Sequence, residues 1–170
     1  MTEPPNSVAA LSKPFLLDLA TLDLSARSVG RDAIAKTNPH RGQMALLDYI
    51  VWEAADHKTG VGLWQVRDDE FWVPGHFPNR PILPGVLQVE AGAQLCVYLY
   101  NSRFPKPKLA VFTHISECSF RGQVVPGDDF YLLAKEVMAT PRRFRSDIQG
   151  IVNGKVAYAA EIQGIVLPDA

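Results

Sequence analysis

The stretch GHFPNRPILPGVLQVEAGAQ, residues 75–94, sets a histidine, a proline-rich loop and a carboxylate close together along the chain. Helical spacing places Val86, Glu90 and Gln94 on one face at i, i+4 and i+8, so the Gln94 amide is within reach of the Glu90 carboxylate. An acid on a dry helix face has its charged form disfavoured, so Glu90 is expected to titrate above the ordinary carboxylate range and to deliver a proton near neutrality. His76, just upstream, has the chemistry of a general base. The first peptide N–H groups of the helix, at Gly85 and Val86, have no intrahelical acceptor and suit a carbonyl oxygen that gains negative charge. Base, acid and oxyanion site together are what removal of water from a 3-hydroxyacyl thioester requires. The C2 proton is weakly acidic, and hydroxide leaves only if it is protonated. Each residue alone has a plainer reading. A histidine beside prolines is commonly structural, and Pro78, Pro81 and Pro84 can form a merely rigid connection. The combination at this spacing carries the chemical reading.

The elements around this stretch limit the fold. PGVLQVEAGAQLCVYLY, residues 84–100, reads as a helix from its length, its alanines and its leading proline. Before it, MALLDYIVWEA and GVGLWQVRDDEFW are strand-like and separated by the turn-like DHKTG. After it come LAVFTHISECSF, DFYLLAKEVMA, RFRSDIQGIVN and KVAYAAEIQGIV, the last two joined at Asn153–Gly154, a hairpin signal. Strands and helices do not alternate, so a doubly wound parallel sheet is excluded. An α+β fold is expected, an antiparallel sheet on one central helix. GRDAIAKTNPH, from Gly30, reads as a short helix stopped before Pro39. Residues 1–12 are expected to form a mobile arm, and FLLDLATLDLSARSVG an extra strand or helix docked on the body, so that 1–29 is an extension and 30–170 the domain. The helix is apolar nearly all round, and the small residues Ala91, Gly92 and Ala93 are expected to need a second copy of the chain to cover them, which implies a homodimer.

With 170 residues and a net charge of −1 the chain fits one domain, and nothing in its charge balance suggests nucleic acid. No apolar run is long enough to span a bilayer, and no secretory signal is seen, so a cytoplasmic protein with Cys96 and Cys118 as buried, reduced thiols is expected. Neither cysteine has metal-ligand spacing. Residues 101–145 carry eight basic and four acidic side chains, in two basic clusters at Arg103/Lys106/Lys108 and Arg142/Arg143/Arg145.

Residues 75–94 resemble the signature of the 3-hydroxyacyl-[acyl-carrier-protein] dehydratases of the FabZ type, carried here by Gly75, His76, Phe77, Pro78, Pro81, Pro84, Gly85, Val86, Glu90, Ala91, Ala93 and Gln94. NPHRGQMALLD is similar to the family's N-terminal P-H-R…L-L-x-D segment and SFRGQVVPGD to its F-R-x-x-V-V-P-G-D segment, so the likeness runs from about Gly30 to Leu167. The resemblance implies a hot-dog fold, a long helix wrapped by an antiparallel sheet, paired into a dimer with two sites at the interface, with a trimer of dimers as the further assembly it allows. It implies that His76 of one chain is the base at C2 and Glu90 of the other the acid, and that the Gly85 amide holds the thioester carbonyl. Val86, Phe77, Gln94 and Val111 would contact substrate. Acyl carrier protein would be the partner, with no metal or cofactor. The related FabA dehydratase/isomerase type has an aspartate where this chain has Glu90, which favours a plain dehydratase. The chain departs from the pattern at Gly42–Gln43, Gln88, Gly92 and Val111, which bear on acyl preference and pathway. A dehydratase of polyketide or polyene synthesis, a hot-dog thioesterase and a non-catalytic acyl-binding module are the alternatives, and the intact His76–Glu90 pair argues against mere binding.

Overall fold

The computed structural model describes residues 15–168. The arm expected over residues 1–12 lies outside them. Seven strands form one antiparallel sheet: β1 Val29–Gly30, β2 Tyr49–Glu53, β3 Thr59–Gln65, β4 Ala110–Phe120, β5 Asp129–Thr140, β6 Arg143–Val152 and β7 Lys155–Val166. Their order across the sheet is β1-β2-β3-β5-β6-β7-β4. Two helices join them, α1 Arg31–Thr37 and α2 Gly85–Asn101. Between β3 and β4 the chain enters α2, which lies on one face of the sheet and delivers the chain to the opposite edge.

Pro84 starts α2 with φ −54°, already suited to a helix. Asn101 ends it. Its buried side chain donates to Thr37 O at 3.1 Å and Lys108 O at 3.0 Å and accepts from Lys108 N–H at 3.1 Å. The Asn153–Gly154 signal is a true hairpin, with φ 49° and 70° in the left-handed region that such a tight turn requires.

The small-residue face of α2 is where expectation and structure part. Ala91, Gly92 and Ala93 are buried within the single chain, against its own sheet. A β-carbon on Gly92 would lie 2.2 Å from the Tyr158 hydroxyl and 2.9 Å from Ile148, so glycine lets the helix settle onto β6 and β7. Gly92 seats the helix rather than awaiting a partner.

The opposite face of the sheet is also covered. Leu16, Leu17, Leu19, Leu22 and Leu24 pack over Val51, Val61, Leu63, Leu133 and Ile151. Of the extra strand or helix considered for residues 15–30, the structure has only a two-residue strand at their end, β1 on the edge of β2, and the strap before it is neither. It is irregular chain with one 3-10 turn, Leu19–Thr21, capped by Asp18, whose Oδ1 accepts the Ala20 N–H. Two covered faces explain why β3 is buried almost without interruption instead of alternating. Asp48 fastens α1 to this frame by accepting from Arg31 Nε at 2.8 Å, Arg67 Nη1 at 3.1 Å and Gln65 N–H at 2.8 Å.

β4 is the free edge, and most of its residues are exposed, Val111, Phe112, Ile115 and Phe120 among them. Its register with β7 slips between Ser116 and Ser119, where Glu117 has φ 51°. The slip turns Cys118 outward, so only Cys96 is the buried thiol expected of both cysteines. No helix among the described residues is long and apolar enough to cross a membrane.

Candidate active site

The loop between β3 and α2 is held by its own backbone. Trp72 O accepts from both Gly75 N–H, at 3.1 Å, and His76 N–H, at 2.9 Å, and His76 O accepts from Ile82 N–H at 2.8 Å. Leu83, buried, donates through its N–H to Val124 O at 2.8 Å. Val124 belongs to the SFRGQVVPGD block, which is itself closed by Asp128 Oδ2 accepting from Val125 N–H at 2.9 Å. Two sequence blocks far apart in the chain therefore meet to fix one loop.

His76 is pinned in a single tautomer. Its Nδ1 lies 2.7 Å from Ile82 O, and since a carbonyl only accepts, Nδ1 carries the hydrogen. Nε2 keeps its lone pair, which is the form a base needs. The Phe77 ring stacks on the imidazole with centroids 4.2 Å apart. Phe77 and Val86, 53% and 76% exposed, leave an apolar surface beside the loop.

Glu90 lies in a cleft of about 40 Å³ with His40, Val97, Val111, Phe112 and Phe144 on its walls. Gln94 Nε2 donates to Glu90 Oε1 at 2.9 Å, as the helical spacing predicts. His40 Nε2 lies 3.3 Å from the same oxygen. The acidity of Glu90 is the reverse of the expectation. The hydrogen bond from His40 holds its carboxyl below the ordinary glutamate range, with burial pulling upward and the Gln94 hydrogen bond adding to the lowering. Burial was legible in the apolar helix, but the neighbour that outweighs it comes from the loop after α1.

At the start of α2, the N–H groups of Leu87 and Gln88 turn back onto Pro84 O, at 3.0 and 3.2 Å. Gly85 and Val86 N–H have no acceptor among the described residues, so they remain available to a carbonyl oxygen. A β-carbon on Gly85 would sit 2.9 Å from the Phe120 ring, so glycine also keeps this helix start open beneath that ring.

Glu90, Gln94 and Val111 are thus together in one cleft, while His76, Phe77, Gly85 and Val86 lie along the preceding loop and helix start. Within one chain no hydrogen bond links His76 to Glu90, and His76 is not on the cleft wall. Sequence reasoning missed His40, the histidine of the P-H-R block. It also missed Phe112 and Phe144 as cleft walls. The His57–Glu53 pair, Nδ1 to Oε2 2.7 Å, is a different matter, for it closes the β2–β3 turn beside the Ala54 N–H to Thr59 O bond. No group of three or more metal-ligating side chains occurs among the described residues.

Residues 38–161 match the FabA-like domain family. The chain is similar to the 3-hydroxyacyl-[acyl-carrier-protein] dehydratase FabZ of Staphylococcus epidermidis, 39% identical over 125 residues, covering 73% of this chain and 86% of that protein. To the protein of the same name from Bradyrhizobium diazoefficiens it is 35% identical over 143 residues, covering 81% and 91%. Among solved structures, the dehydratase heterocomplex ApeI:P from Xenorhabdus doucetiae superposes with a TM-score of 0.70 at 13% identity, covering 80% of this chain and 91% of that one. An uncharacterized protein, PH1136, from Pyrococcus horikoshii does so with a TM-score of 0.61 at 13% identity, covering 79% and 92%. At that identity the structural likeness concerns the fold, and that fold is the hot-dog arrangement of a long helix wrapped by an antiparallel sheet.

Proposed function

Because the chain belongs to the FabA-like family, we propose that it is a hydro-lyase that converts (3R)-3-hydroxyacyl thioesters of acyl carrier protein to trans-2-enoyl thioesters in fatty acid biosynthesis. The observation that carries this reading is His76, locked with its hydrogen on Nδ1 and its Nε2 lone pair free, on the loop that leads into the helix bearing Glu90. The thioester carbonyl accepts the Gly85 N–H, which stabilises the enolate-like oxygen. His76 Nε2 takes the C2 proton, the C–H electrons become the C2–C3 double bond, and the C3–O bond breaks. Glu90 supplies the proton that turns the departing hydroxyl into water. Phe77, Val86 and Val111 line the path of the acyl chain, and Gln94 orients the acid.

The two groups act across a homodimer, His76 of one chain facing Glu90 of the other. Support comes from their separation within one chain and from the apolar side chains left exposed at Phe77, Val86, Phe112, Ile115 and Phe120, beside the unpaired edge of β4. Acyl substrate bound in the Glu90 cleft excludes water. In that complex the proton affinity of Glu90 rises against the two hydrogen bonds that lower it in the substrate-free protein, and the acid moves toward a proton-carrying state. Two unbridged cysteines fit a cytoplasmic setting. The direct test is incubation with 3-hydroxyacyl-carrier-protein while enoyl absorbance is followed. Enoyl product is expected, and none at any chain length would refute the reading.

The carrier protein is the acidic partner, and the basic clusters resolve into one surface. Arg103 is taken up by Glu136, with Nη1 to Oε1 2.9 Å, and Arg145 lies 3.6 Å from Glu161. Lys106, Lys108, Arg142 and Arg143 make no ion pair among the described residues. Lys108 and Arg142, from the two different clusters, line the same hollow of about 320 Å³. Lys108 precedes Val111 of the Glu90 cleft by roughly 10 Å of extended chain. Lys108→Glu with Arg142→Glu is expected to raise KM for carrier-bound substrate about tenfold, in a salt-dependent way, and to leave a small soluble thioester unaffected. Equal losses on both substrates would move the docking surface elsewhere.

A further inference from the structure

His40 is the titratable side chain beside Glu90 that the reaction as described does not use. It stands in the loop after α1, where Pro39 ends the helix and Arg41 fixes the backbone. The Arg41 guanidinium donates to Asn38 O and His40 O, each at 2.7 Å, and to Ala35 O at 2.8 Å. Asn38 Nδ2 donates to Gln94 O at 2.8 Å, which ties the loop to α2 one turn beyond Glu90. The loop therefore aims the imidazole at the carboxylate.

The protons in this cluster are fixed by what each atom can accept. Gln94 Oε1 accepts Leu46 N–H at 3.0 Å, so its amide nitrogen must face the other way. That nitrogen donates to Met44 O at 2.8 Å and to Glu90 Oε1 at 2.9 Å. Among the described residues, His40 Nδ1 is buried with no partner. A carboxylate oxygen accepts, so the His40 nitrogen that faces it, Nε2, carries a hydrogen. Nε2–H points to Glu90 Oε1, 3.3 Å away. Both donors end on Oε1, and no donor reaches Oε2 among the described residues.

We propose that His40 is a positioning residue for Glu90: together with Gln94 it clamps Oε1, so that Oε2 is the oxygen turned to the substrate and the one that carries and releases the proton. This rests on the reading of Glu90 as the acid. As the proton leaves Oε2, charge grows on a carboxylate whose other oxygen already has two donors, and no group has to reorient. The groups that face Glu90 are His40 from the loop after α1 and Gln94 from α2. β4 and β6 contribute Ala110, Val111, Phe112 and Phe144, which are apolar. The hydrogen bond from His40 is also the largest influence lowering the Glu90 carboxyl. Its removal should raise the pH at which Glu90 titrates.

The test compares His40→Phe, which keeps a ring without the donor, with His40→Gln, whose longer amide restores an N–H. The Glu90 carboxyl is followed by carbon-13 NMR in substrate-free protein and assigned by its absence in Glu90→Gln. His40→Phe is expected to move that titration upward and to lower kcat about tenfold or more with KM little changed. His40→Gln is expected to recover part of both. If His40→Phe does not fold, His40→Asn, too short to reach Oε1, takes its place in the comparison. An unmoved titration in a folded donor-less variant, or an equal deficit in His40→Gln, overturns the role of His40. Glu90→Gln assayed alongside separates the failures. Turnover retained there means that Glu90 is not the acid. Turnover lost there, with titration and kcat untouched by His40→Phe, means that His40 does not position it.

Discussion

His76→Ala is expected to lower kcat by about 10²–10⁴-fold, the range a placed general base contributes. The expectation follows from the tautomer. Ile82 O takes the Nδ1 hydrogen and leaves Nε2 as the basic atom of the ring. No nearby group can substitute, since Trp72 and Phe77 offer no base and the Glu90 carboxyl is tied to Gln94 and His40. The alanine variant loses the bond to Ile82 O, worth about 1 kcal/mol. The backbone bonds of Gly75, His76, Ile82 and Leu83 remain, so the loop and the helix start should persist. The check is steady-state kinetics on a 3-hydroxyacyl thioester beside a melting curve. Near-native turnover in the folded variant would remove His76 from the base role.

Glu90→Gln is expected to fall by a similar factor, about 10²–10⁴-fold, with the fold intact. The amide oxygen can replace Oε1 as the acceptor of the Gln94 and His40 donors, which leaves the NH₂ where Oε2 stood. An amide there can orient a hydroxyl but cannot protonate it. The variant also carries a stability signature of fixed sign. The Glu90 carboxyl is held below the ordinary glutamate range in the folded chain, first by His40. Its contribution to stability is therefore present above the unfolded pKa of about 4.3 and is lost as pH falls through the lower folded value. Wild type should exceed Glu90→Gln in urea midpoint near neutral pH, and the gap should close in acid. A gap that widens in acid would mean that the sign is wrong.

What the sequence made legible followed from local rules. Pro84 and the alanine-rich run fixed α2, Asn153–Gly154 fixed a hairpin, and the i, i+4 spacing fixed the Gln94–Glu90 bond. The rest depended on chain segments that meet only after folding. The strap, residues 16–24, has only a mixed pattern because it follows the contours of a sheet face rather than building an element of its own. β1, two residues long, is defined by its pairing with β2 and has no pattern to read. Ala91–Ala93 invited a partner chain because Tyr158 and Ile148, which lie against Gly92, are remote in sequence. The acidity of Glu90 reversed for the same reason, since an apolar helix face predicts desolvation but says nothing of a histidine that Arg41 and Asn38 carry to it.

The central claim, one site built from His76 of one chain and Glu90 of another, is tested most directly by mixing the two inactive variants. In a heterodimer of His76→Ala with Glu90→Gln, one site pairs the native His76 of the second with the native Glu90 of the first, and the other site has neither. After random subunit exchange between two-fold dimers, activity should rise from near zero toward about a quarter of the wild-type rate. No recovery after exchange has been verified by mass would contradict a site shared between chains.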